Sequence, residues 1–200
     1  MYKKQMVFQK LVCFLAVIVA ALTFAYSLGL VTDLYDGLYW TNNKVDGAEI
    51  FYNIQDFNKQ LTYVGIALLL LSALLFLTQT HARRKYYIGN YCATGLFAAG
   101  AVATAGWSWV NLLGPSGFKY QFLNNLDFEA YLKRATKYKQ TYIDSTFWFD
   151  IQLVLGILLI ITAVLLVVNL CMKITVMRRE SALIAEGASA ASIDGTQAKK

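Results

Sequence analysis

The sequence is short of the residues that soluble domains use for turns, charge and metal chemistry. It has one proline, one histidine and three cysteines in 200 residues, and 15% of its residues are charged, against roughly 25% in a typical soluble domain. A lone histidine with no acid or thiol near it in sequence excludes a zinc-type metal site. The cysteines, Cys13, Cys92 and Cys171, show no C-x-x-C spacing and avoid the segments between the apolar runs. That excludes an external disulfide and a dithiol relay, and they read as small packing residues. What is abundant is apolar: 58% of residues are hydrophobic and the mean hydropathy is +0.46. A soluble chain of 22.4 kDa cannot hide that much apolar surface. Disorder, coiled coil and nucleic-acid binding drop out, and an integral membrane protein remains.

Charge is also missing in long blocks. Between Lys10 and Asp33 lie 22 residues without an ionisable acid or base, between Lys59 and His81 lie 21, between Lys85 and Lys119 lie 33, and between Asp150 and Lys173 lie 22. The third block divides into an apolar run to about Leu113 and the turn Gly114-Pro115-Ser116-Gly117. A bilayer core takes about 20 apolar helical residues, and in hydrocarbon a helix satisfies its own backbone polar groups. The expected fold is an all-α, four-helix transmembrane bundle over residues 1–179, with spans at about 9–32, 60–80, 88–113 and 149–172. Lys10 and Asp150 sit at the ends of their spans and no other acid or base falls within any of the four, which argues against an ion-coupled pump or proton relay. The first run is read as an uncut anchor, because it extends past Ala25 through Val31, longer than a signal core.

Of the 18 basic residues, 11 lie at the N-terminus, in Arg83-Arg84-Lys85 and in the tail from Lys173. The positive-inside rule then predicts both termini in the cytoplasm of a plasma-membrane protein. Trp40, Trp107, Trp109 and Trp148 all fall on the opposite side and are expected to anchor the helix ends at the interface. Tyr86, Tyr87 and Tyr91 mark the cytoplasmic side.

The external segments 33–59 and 114–148 are longer than a helical hairpin needs. Ile50, Ile54, Phe57 and Leu61 make an apolar stripe, as do Phe128, Tyr131, Leu132, Ala135, Tyr138 and Tyr142. Amphipathic surface helices are expected near 47–60 and 122–145. Asn53-x-x-Asp56-Phe57 and Asn124-x-x-Asp127-Phe128 occupy similar places, a match too short to establish an internal repeat. The Ala/Ser/Gly-rich residues 180–200 read as a disordered cytoplasmic tail.

The third run carries a specific packing signal. Gly95, Ala99 and Ala103 fall on one line, with Gly100 and Gly106 nearby. Small residues in this register let a second backbone approach. We expect packing at the centre of the bundle, with a partner interface as the alternative. Ser72, Thr94, Thr104, Asn111, Gln152, Thr162 and Asn169 suit interhelical hydrogen bonds. Asn111, Asp150, Gln152 and Asn169 are the candidates for a neutral polar path. His81 reads as an interfacial helix cap, and Asp150 as a cap of the fourth span. Asp127, Asp144 and Asp150 would be the acids of any enzymatic reading. No nucleotide, zincin or triad motif is present, so no catalytic residue, metal or cofactor is expected.

The string Gly37-Leu38-Tyr39-Trp40 ahead of a second span resembles the claudin-like tetraspan plan. That plan pairs the motif with two disulfide-forming cysteines in the same loop, and this loop has none, so the chain is not assigned to it. The sequence instead favours a non-catalytic accessory or scaffolding subunit of a transport or cell-envelope complex. Its expected partners are the bilayer and another integral membrane protein or itself, with no nucleic acid. A small homo-oligomeric transporter or channel for a neutral solute is the alternative.

Overall fold

The computed structural model describes residues 2–41, 44–80, 87–136 and 145–197; for 2, 3, 32–41, 79, 80, 87, 134–136, 180 and 187–197 it describes the backbone alone. The elements are α1 (Tyr2–Thr41), α2 (Ile50–Thr80), α3 (Tyr87–Leu113), α4 (Phe118–Asn124), α5 (Phe128–Thr136) and α6 (Phe147–Gln197), with no strand among the described residues. Four of these helices are long and apolar enough to cross a membrane. The long helices form a ring in which α1 packs on α2, α2 on α3, α3 on α6 and α6 on α1.

A heptad spacing explains the ring. On α1 the buried residues Gln5, Gln9, Val12, Ala16, Val19, Thr23, Tyr26 and Leu30 alternate steps of four and three. The same alternation runs through Ile54, Asn58, Leu61, Gly65, Leu68, Ser72 and Leu75 on α2. It recurs through Asn90, Thr94, Phe97, Ala101, Thr104 and Ser108 on α3, and through Gln152, Leu155, Leu159, Thr162, Leu166, Asn169 and Lys173 on α6. A 3.5-residue average keeps one seam facing the bundle axis, the packing of left-handed four-helix bundles. Leu68, Phe97, Leu159 and Leu166 fill the middle.

Several expectations change at the helix ends. The stripe Ile50, Ile54, Phe57 and Leu61 is buried as its period implies, but it forms the first turns of α2, without a separate surface helix. Residues 37–40 complete α1 and are not a loop. The turn Gly114-Pro115-Ser116-Gly117 does end α3. Beyond it the stretch expected as one helix over 122–145 breaks into α4 and α5, because the Asp127 carboxylate accepts from Ala130 N–H and caps α5. Phe128, Tyr131 and Leu132 face the core, while the side chain of Ala135 and residues 138 and 142 lie outside the described ones. Asp127 caps a helix whereas Asp56 sits inside α2, so the two Asn-x-x-Asp-Phe strings are not equivalent. The backbone expected to be a disordered tail continues α6 to Gln197; its alanines favour helix wherever nothing opposes it.

An aromatic cap closes one end of the ring. Phe51 stacks on Tyr131 with centroids 5.6 Å apart, and Phe122 meets Phe128 at 5.1 Å and Phe149 at 5.6 Å. Phe57 lies 4.6 Å from Trp107. The 44–49 segment joins by burying Val45 and Ala48, and Asp127 N–H donates to Asp46 O at 2.9 Å. Gly47 sits at φ +78° with Asn125 O directly against the place of a Cβ. Only glycine suits that conformation and that approach.

Candidate functional site

The end of the bundle opposite the cap concentrates polar side chains on seam positions. Lys173 is 5% exposed, although its sequence position beyond the charge-free run suggested an interfacial residue. It lies just beyond the fourth uncharged run, as expected, yet it is buried within the helix bundle. It continues the α6 seam, and the four-residue step from Asn169 is the signal that sequence reading missed. Its Nζ donates to Asn90 Oδ1 at 2.6 Å and lies 5.6 Å from the Tyr91 ring centroid. Asn90 Nδ2 donates to Thr78 Oγ1 at 3.0 Å. On the same side of the bundle, Gln5 Nε2 is shared between Asn169 Oδ1 at 3.1 Å and Gln9 Oε1 at 2.9 Å. Thr78, Asn90, Lys173, Asn169 and Gln5 thus tie α2 to α3, α3 to α6 and α6 to α1. A polar group on a heptad seam sets register, since a slipped neighbour would leave it buried and unpaired.

The four candidates for a polar path are not brought together. Asn111 donates to Trp107 O within its own helix, at 2.8 Å. Asp150 is exposed, bonded to Lys119 Nζ at 2.5 Å and to Thr146 Oγ1 at 2.6 Å in the first turn of α6. Gln152 and Asn169 are both buried, but they stand about 25 Å apart along one helix. Gln152 differs from the others: it is fully buried and neither atom of its amide has a protein partner. Of the polar residues expected to bond between helices, Asn169 does so. The Ser72, Thr104 and Thr162 hydroxyls instead donate to carbonyls of their own helix.

The small-residue line of α3 points away from the bundle. Gly95, Ala99 and Ala103 are exposed, and a Cβ added at Gly95 or Gly106 would meet nothing within 4 Å. Gly100 is half-buried, and its added Cβ would contact Leu68. The expectation that the line packs internally is therefore corrected. The helix has two small faces, and the one flanked by Asn90, Thr94, Thr104 and Ser108 goes inward because those polar groups favour the interior over an apolar outside.

The tryptophans gather at the cap end, but the described rings pack into the bundle. Trp148 fits against Gly29, whose added Cβ would lie 2.7 Å from the ring, and Trp109 covers Gly156 in the same way. Trp107 is half-buried in the cap, and the side chain of Trp40 lies outside the described residues. Tyr91 O–H donates to Met177 Sδ at 2.7 Å, while Tyr86, the side chain of Tyr87, His81 and Asp144 lie outside the described residues. Cys13 is buried as expected, whereas Cys92 and Cys171 are exposed. A cleft of about 640 Å³ beside the 45–49 segment presents Asp46 and Glu49 with Tyr52 and Asn53, two carboxylates without an accompanying base or thiol among its lining residues. Among the described residues no three metal-ligating side chains converge. A scan against protein-family models and searches of curated proteins and of solved structures find no match to this chain.

Proposed function

We propose that this chain is a non-catalytic multi-pass protein of the plasma membrane, an accessory or scaffolding subunit of a transport or cell-envelope complex. The observation that carries the reading is the outward line of Gly95, Ala99, Ala103 and Gly106 on α3. In hydrocarbon, helices gain nothing by hiding apolar surface from lipid, so association depends on close packing, which a small-residue face permits. A flat face of this kind suits a second membrane helix, from another integral membrane protein or from a second copy of this chain. The polar side chains at the far end bond to one another across helices, which suits a packed bundle better than a solute route. Neither a cofactor nor nucleic acid has a part in this reading.

Native protein extracted in mild detergent is expected to co-purify with a larger membrane protein or as a homo-oligomer. Gly95→Leu with Ala99→Leu should cut the recovered partner by about tenfold or more, the equivalent of ~1.4 kcal/mol. The same variant should keep the wild-type unfolding midpoint, because a Cβ at Gly95 would meet nothing within 4 Å and Ala99 is exposed. Recovery as a lone monomer would overturn the reading. The rival, a small homo-oligomeric transporter or channel for a neutral solute, draws on the unpartnered amide of Gln152. Solute flux through liposomes holding the purified chain alone would favour it.

We infer a cytoplasmic location for both termini from the excess of basic residues on their side of the bundle. A membrane-impermeant protease added to intact cells is expected to spare epitopes at either end. Cleavage from outside would reverse the topology.

A further inference from the structure

The α6 seam carries a glutamine where its heptad calls for an apolar side chain. Gln152 has 0% exposure, and both Oε1 and Nε2 are buried without a protein partner. One turn earlier on the same face, the Trp148 indole Nε1 is also buried without one. These orphaned atoms do not come from a loosely held helix. The Tyr26 hydroxyl donates to Trp148 O at 2.5 Å, the Trp148 ring is wedged against Gly29, and Trp109 Nε1 donates to Gln152 O at 3.2 Å. Backbone and indole are thus fixed on both sides of the amide. Two hydroxyls on the neighbouring stretch of α1 are already committed as donors, Thr23 to Val19 O and Ser27 to Phe24 O.

We propose that Trp148 and Gln152 hold bound water inside the cap end of the bundle, and that a water bridges the two side chains. The water accepts from the indole N–H and donates to Gln152 Oε1. Side chains four apart on a helix have Cβ atoms about 5–6 Å apart, within the reach of one water making two hydrogen bonds of ordinary length. The Nε2 group provides further donors for a second water. Buried polar groups in an apolar interior keep such waters because losing them leaves donors and acceptors unpaired. All the orphaned atoms in this layer are neutral and include both donors and an acceptor. That matches water, which donates and accepts, and gives no charge to hold an ion.

The test uses the full chain in lipid bilayers. Water-edited solid-state NMR is expected to show polarisation passing from water to the Gln152 side-chain amide and to the Trp148 indole N–H. Absence of transfer to both groups would overturn the proposal, and this readout needs no variant. Thermal unfolding supplies an independent measure. Replacing Trp148 by its benzothienyl analogue exchanges the N–H for sulfur while keeping the fused ring that packs on Gly29, and Gln152→Met removes the amide while keeping the volume. Each is expected to lower the midpoint by about 2–4 °C, and the double variant should fall no further than the larger single effect. A higher midpoint for Gln152→Met would show a dry, unpaired amide and overturn the proposal. Strictly additive losses would show that the two groups share no water and would equally overturn it.

Discussion

Gly47→Val should be among the most damaging single substitutions in this protein. A β-branched residue at φ +78° is strained, and the new side chain would press on the backbone carbonyl of Asn125, which cannot rotate away. The segment would have to lift, giving up the Asp46–Asp127 hydrogen bond and the burial of Val45 and Ala48. We expect a loss of about 3 kcal/mol from backbone strain together with lost burial, or roughly 6–12 °C in the unfolding midpoint for a chain of this size. Gly95→Val is the internal comparison: its Cβ would meet nothing within 4 Å, leaving chiefly the helix-propensity difference of a few tenths of a kcal/mol. Equal midpoints for the two variants would show that the 44–49 segment is not docked on the cap.

Lys173→Ala should be comparably severe, for a different reason. It removes a charged hydrogen bond worth about 1.5–3 kcal/mol, strands Asn90 Oδ1 in the interior, and deletes the aliphatic stem packed in the seam. A loss of about 3 kcal/mol is expected, with Lys173→Met, which keeps the stem, losing clearly less. The coupling is the sharper readout. Lys173 and Asn90 touch, so Lys173→Ala and Asn90→Ala should be strongly non-additive in a double-mutant cycle. Additive losses would mean that the two side chains stabilise the bundle independently.

The four long helices were legible because charge is absent from long blocks, and no other pattern of that length satisfies the backbone without water. The seam register was equally present in the sequence, as the three-four spacing of Gln152, Leu155, Leu159, Thr162, Leu166, Asn169 and Lys173. Reading Lys173 as the charge that ends a span hid it, because a boundary rule counts charges and takes no account of the face they occupy. The orientation of α3 was not decidable from its small residues, since Gly95-Ala99-Ala103 and the alanines Ala93, Ala98, Ala101 and Ala105 around Phe97 both offer small side chains; the polar residues beside the second set settle it. The cap was beyond local pattern. Its defining hydrogen bond joins Asp46 to Asp127, far apart in the chain, and the stripe beginning at Ile50 has the same period whether it lies on a surface or begins a buried helix.

The polar ties at one end and the glycine-seated tryptophans at the other turn α6 into a gauge of fixed length. Lys173 meets Asn90 while Trp148 meets Gly29, and one continuous helix joins the two contacts. A single inserted residue near the middle would turn one end by about 100° relative to the other and shift it by about 1.5 Å, so that whichever end kept its contacts, the other would lose them. A whole inserted heptad would restore the angle but overshoot by roughly 10 Å. The interior can therefore exchange one small apolar residue for another, yet the number of residues separating the two ends is itself a constraint on the protein.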